Sequence, residues 1–268
     1  MKNKTLKTTI DVISYLVANL LILFVIQLVA QIIHGDEKMS GNWLAGITLV
    51  SNLLTIMLFA WQKWSPFSRD YIQSRPWDCL FWVIVFAIGT MVPSELLDEF
   101  CGFSIPEQQK QSIIDIMSTQ WGFIAIAFIV PIAEEMVFRG AILRSLLHLF
   151  GKRKRWFAIA LSAVIFGAAH GNVPQFLHAT LAGLVLGWFY WRTQSIVPGI
   201  TFHIVNNLIA VIVFKMLPGS TDMKLTEFFQ GDNLRLCLYV FFSFCVLVPA
   251  WVQLYFRLRQ PNALQEKG

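Results

Sequence analysis

Charge is scarce in this sequence: Asp, Glu, Lys and Arg make up 14% of its 268 residues. A soluble globular domain carries about 25%, so that class is excluded. Cysteine is scarce too. Cys79, Cys101, Cys237 and Cys245 form no CxxC pair; three lie in apolar runs and one in a loop. Neither a disulfide framework nor a zinc ribbon is supported. HExxH is absent, as are internal repeats, low-complexity linkers and any soluble domain. The net charge of +5 would suggest nucleic acid in a soluble protein. Here it reports topology instead, and no nucleic-acid partner is expected.

Apolar sequence fills the space that charge leaves. Hydrophobic residues make up 56% of the chain, with 10 Trp and 23 Phe to populate a bundle core and its interface belts. Runs near the roughly 17–25 residues that cross a bilayer occupy 10–33, 43–61, 77–92, 121–138 with its continuation, 157–170, 176–191, 196–217 and 234–256. The fold class is an all-α polytopic transmembrane helical bundle of about eight spans. The first run is longer than a signal-peptide core and reads as a retained signal-anchor. Of the 21 Lys and Arg, Arg139 is intramembrane, 15 fall on one side of the spans and five on the other. By the positive-inside rule both termini face the cytoplasm.

Against this background "PIAEEMVFRG", residues 131–140, is out of place. A charge at bilayer depth costs at least about 2.5–3.5 kcal/mol and usually lines a cavity that carries function. Glu135 and Arg139 are four residues apart with the glutamate first, the favourable order for a helical ion pair. Glu134, about 100° round an ideal helix, faces elsewhere and is left available for chemistry; the structural alternative puts both glutamates in one buried polar network. His170 ends "LSAVIFGAAHG", where Gly171 and Pro174 signal a helix stop. There the helix dipole favours an imidazolium, suiting a group that accepts and returns a proton. His203 and Asn207 share a helix face at i, i+4. They are either donors to a developing oxyanion or glue between helices. Together Glu134, His170, His203 and Asn207 supply a base, a proton shuttle and an oxyanion hole, the parts needed for amide hydrolysis. His34, His148 and His178 take structural readings, and "GLVLG" (183–187) reads as close helix packing.

The three patterns EExxxR (Glu134–Arg139), FxxxH (Phe166–His170) and HxxxN (His203–Asn207), in that order, resemble the CPBP family. That family comprises CAAX prenyl proteases and bacteriocin-processing or immunity proteins, also called Abi. The similarity runs roughly from Trp121 to Phe214 and includes Ala182–Gly187 and "RTQSIVPGITFH"; the first 110 residues and the last span carry no known motif. The resemblance divides the chain into N-terminal transmembrane helices (1–118), a CAAX-protease-like catalytic core (119–216), and an extracytoplasmic loop, last helix and short cytoplasmic tail (217–268). It implies an intramembrane endopeptidase of a prokaryotic plasma membrane. Glu134 would be the general base, helped by His170, with His203 and Asn207 at the oxyanion. Glu135 and Arg139 would hold the geometry, and Phe166 would pack beneath it. The expected partners are membrane lipid and a peptide or protein substrate, hydrophobic or lipidated.

No cofactor is expected. A zinc ion on Glu134, His170 and His203 is the alternative, but it would leave no spare base once Glu135 is held by Arg139. Two further readings compete: a non-catalytic immunity or scaffold protein, and a transporter or proton relay. A scaffold has no need of an unpaired Glu134, and the polar residues do not recur in two halves as inverted repeats require. One tension stands in the protease reading. At ~1.5 Å per residue, Glu134 and His170 lie ~22–24 Å from the cytoplasmic ends of their helices and His203 only ~12 Å. Tilted helices or a kink at Pro131 would be needed to bring them together around a water-filled cavity, opening toward the cytoplasm.

Overall fold

A computed structural model describes residues 2–35, 38–66, 68–102, 104–217 and 224–259. The cytoplasmic tail read from the sequence lies almost wholly outside the described residues, as do residues 218–223 of the preceding loop. Among the described residues there is no strand. The long helices are α1 (Lys2–His34), α2 (Gly41–Trp61), α3 (Trp77–Cys101), α5 (Gln120–Phe150), α6 (Arg155–Ala168), α7 (Val173–Thr193), α8 (Val197–Met216) and α9 (Asn233–Arg257), with a shorter amphipathic helix, α4 (Glu107–Met117), before α5. These follow the eight apolar runs in order. Six of them, α1, α2, α3, α5, α8 and α9, are long and apolar enough to cross a membrane. The 14 residues of α6 reach ~21 Å, short of a hydrocarbon core of about 30 Å.

Local chemistry sets the helix ends. Thr119 caps α5 by accepting from the Gly122 amide at 2.9 Å, and Asn172 caps α7 by accepting from the Gln175 amide at 2.9 Å, each satisfying a donor that the first turn leaves over. Between α6 and α7 the chain turns at Gly171, whose φ of +73° suits a residue without Cβ. Pro174 stands in the first turn of α7. The α6–α7 hairpin is tight because Gly183 meets Ala163 and Gly187 meets Ile159 where any side chain would collide. All four cysteines are free, and Cys101 closes α3 rather than lying in a loop.

Burial is distributed oppositely to charge-free expectation. Large apolar side chains of α1 and α9, among them Phe24, Ile32, Phe241 and Phe242, point outward, as lipid-facing surfaces do. The most enclosed segment is the charged one: every residue from Glu135 to Leu143 is buried. Contacts gather the basic helix ends together. Arg192 donates to the carbonyls of Leu258 at 3.0 Å and Tyr255 at 2.8 Å, and Arg257 pairs with Asp78 at 2.5 Å. At the other end Glu99 accepts from the Leu225 amide at 3.0 Å. His178 lies 3.4 Å from Asp98, an acidic neighbour supplied by α3 that the local sequence does not show.

Candidate active site

Helix α5 is not a regular α-helix. Two π-helical stretches, Ala125–Ile129 and Glu135–Leu143, flank a single α-turn over Val130–Glu134. Pro131 has no N–H to donate and its ring crowds the preceding turn; a widened backbone ladder accommodates both. Such π segments are rare and concentrate at functional sites.

Within the second π stretch Arg139 Nη1 donates to Glu135 Oε1 at 2.7 Å, and both side chains are sealed from the surface, at 1% and 0% exposure. The guanidinium carbon stands 4.2 Å over the Phe166 ring, a cation–π contact that further compensates the buried charge. Two glycines make the space: a Cβ on Gly199 would strike Glu135 Oε2, and one on Gly183 would crowd Arg139. Gly199→Ala is therefore expected to lower both the unfolding temperature and any activity of the site, since overpacking costs about 1–3 kcal/mol. Gly46→Ala, with open space at its missing Cβ, should leave both unchanged; thermal unfolding of the two variants checks this.

His203 stands between the two glutamates. Its Nε2 lies 3.7 Å from Glu134 Oε2 and its Nδ1 lies 3.5 Å from Glu135 Oε1. Arg139 pairs with Glu135 and not with Glu134; the neighbour of Glu134 is an imidazole brought by α8, which spacing within α5 does not reveal. The depth tension also resolves. Ser195, Ile196, Pro198 and Gly199 are buried, and the Ile196 amide donates to Ser68 Oγ at 3.2 Å. Helix α8 thus starts inside the protein, beneath the α2–α3 connection, and a count from its first residue does not begin at the surface.

His170 forms a hydrogen bond from its Nδ1 to the Phe166 carbonyl at 3.0 Å. A carbonyl only accepts, so Nδ1 donates, and in the neutral ring Nε2 is the acceptor. Its ring meets Phe166 edge-on at 5.0 Å. Asn207 donates from Nδ2 to the Ile126 carbonyl at 2.9 Å, tying α8 to the first π stretch. One of its two N–H groups is thereby engaged and one is left.

Glu134 and His170 share a cavity of about 140 Å³. Its remaining wall is Val130, Val137, Phe138 and Ala169, together with Asn19, Leu20 and Leu23 from α1 and Asn52 from α2. His203 and Asn207 are not in this lining. Glu134, partly exposed, faces both the cavity and His203. Asn19 and Asn52 escaped the sequence reading; the signal that could have found Asn52 is the polar stripe Thr48, Ser51, Asn52, Thr55 at i, i+3, i+4, i+7 on one face of α2, whereas Asn19 has no such stripe on α1. Among the described residues no three His, Cys, Asp or Glu converge to hold a metal ion, so Glu134, His170 and His203 as placed do not fit a three-ligand zinc site.

Residues 117–209 match the family model described as Type II CAAX prenyl endopeptidase Rce1-like, so the resemblance carried by the three motifs holds over the site-bearing helices. The chain is also 32% identical over 113 residues to the "Putative membrane peptidase YdiL" of Bacillus subtilis (strain 168), a match that covers 42% of this chain and 45% of that protein. The chain thus spans less than half the length of that relative. No solved structure matches the chain significantly.

Proposed function

We propose, from a site-bearing core that matches the Rce1-like CAAX endopeptidase model, that this integral membrane protein is an intramembrane endopeptidase. It hydrolyses a peptide bond of a hydrophobic or lipidated peptide, in CAAX-type or bacteriocin-type processing. The observation that carries this reading is one carboxylate, Glu134, that opens onto a cavity shared with His170 and stands 3.7 Å from His203. Glu134 takes a proton from a water in the cavity, and the water oxygen attacks the carbonyl carbon. His203 and the remaining N–H of Asn207 stabilise the oxyanion. The proton then passes to the leaving nitrogen, with His170 Nε2 as the relay, and the C–N bond breaks to give a carboxylate and an amine. Glu135 takes no part in this transfer because Arg139 holds it. By the distribution of Lys and Arg, we place both termini in the cytoplasm.

We further propose that the water is activated by Glu134 without a metal. Support comes from Arg139 holding Glu135, so that a metal on Glu134 would leave no free carboxylate as base. The test is cleavage of a panel of short apolar and prenylated peptides by the purified chain in detergent, with and without a zinc chelator. Undiminished cleavage in chelator is the expected result. Cleavage that chelator abolishes and zinc restores would require Glu134, His170 and His203 to close around a metal. No cleavage of any peptide would favour the scaffold reading.

A further inference from the structure

Helices α1 and α2 lie outside the residues that match the family model, yet they complete the cavity at Glu134. Asn19 stands near the middle of the 33 residues of α1 and Asn52 near the middle of the 21 of α2. At that depth an amide without water needs a partner, so a polar side chain usually faces the bundle interior or a cavity. Both line the cavity of Glu134 and His170.

Their internal hydrogen bonds use only part of their capacity. Thr55 Oγ1 donates to Asn19 Oδ1 at 3.3 Å, and Asn52 donates from Nδ2 to the Thr48 carbonyl of its own helix at 2.8 Å. An Asn offers two N–H donors and a carbonyl acceptor. Beyond those bonds Asn19 keeps both N–H groups, and Asn52 keeps one N–H and its oxygen. Thr55 and Ser51, on the same face of α2, are fully buried and brace that face. Donors and an acceptor in one cavity with Glu134 and His170, the rest of its lining being apolar, complement the C=O and N–H of an extended peptide. The cavity's 140 Å³ holds several waters, room that a peptide group can take over.

We infer that Asn19 and Asn52 bind the backbone of the substrate beside the bond to be cut, so that α1 and α2 serve as a substrate-positioning wall. The inference rests on the protease reading above.

The test uses the full-length chain in detergent and whichever peptide of the panel wild type cuts fastest. Asn52→Leu is close in size and removes the hydrogen bonds. It should raise KM about tenfold, as loss of a hydrogen bond to a desolvated partner does. kcat should change far less, and Asn52→Gln should recover part of the loss. Asn19→Leu should act the same way, whereas Leu53→Ala, on the exposed face of α2, should not. Binding of the same peptide, fluorescently labelled, to Glu134→Gln supplies a readout free of turnover: added Asn52→Leu should weaken it by the same factor. A lower unfolding temperature with unchanged KM and unchanged peptide binding would make the asparagines helix glue and overturn the inference alone. Failure of wild type to cut any peptide would overturn the protease reading and this inference with it.

Discussion

Glu134→Gln is expected to lower peptide turnover by about 10²–10⁴-fold, the range that a positioned general base contributes, while leaving the protein folded. The two halves of this expectation have separate causes. Gln keeps the size and hydrogen-bonding reach of the side chain but cannot take a proton from water. Stability changes little because Glu134 is 23% exposed and its contact with His203, at 3.7 Å, is longer than a good hydrogen bond. The measurement is kcat on the best peptide alongside thermal unfolding of both proteins. His203→Ala is expected to lower turnover as well, by a smaller factor, since removing one oxyanion donor costs about 10²–10³.

Arg139→Met is expected to give the largest loss of stability. It takes from Glu135, whose side chain is 0% exposed, its only hydrogen-bonded cation among the described residues, leaving the His203 imidazole at 3.5 Å as the nearest partner. Breaking such a pair costs about 3–5 kcal/mol. It also removes the cation over Phe166 and loosens the ring on which His170 and His203 rest edge-on. Activity is lost with the fold, so the informative comparison is the double variant Glu135→Leu with Arg139→Met. Two apolar side chains in place of the pair should recover most of the unfolding temperature, because a buried ion pair stabilises little against an apolar replacement. Turnover should not return, because Glu135 no longer sits against His203 Nδ1. A double variant as unstable as the single would mean that the cost arises from packing and not from charge.

The contrast between these variants shows what was legible beforehand. Glu134, Glu135 and Arg139 were conspicuous because charge inside an apolar run has few physical explanations, and the i, i+4 spacing paired Glu135 with Arg139 directly. The order and number of long helices followed from run length. The π ladder of α5 did not, because apolar periodicity does not record which carbonyl each amide reaches. The contacts that complete the site come from other helices: His203 against both carboxylates and Asn207 against Ile126. No pattern within one segment encodes them. The buried start of α8 depends on a hydrogen bond from Ile196 to Ser68, 128 residues away. Asn19 was hidden by the opposite effect: a lone amide in a strongly apolar helix looks like a tolerated exception until a fold sets it at a cavity.

Activation of water by Glu134 at a peptide bond leaves a mark that mass spectrometry reads when the reaction runs in water enriched in ¹⁸O. Wild-type protein and Glu134→Gln would be incubated with the same apolar or prenylated peptide in parallel. Wild type should give two fragments, the new carboxyl group carrying one ¹⁸O atom, and the variant should leave the peptide intact. Equal cleavage by both proteins would contradict this, leaving Glu134 as part of a buried polar network and the cavity without its proposed chemistry.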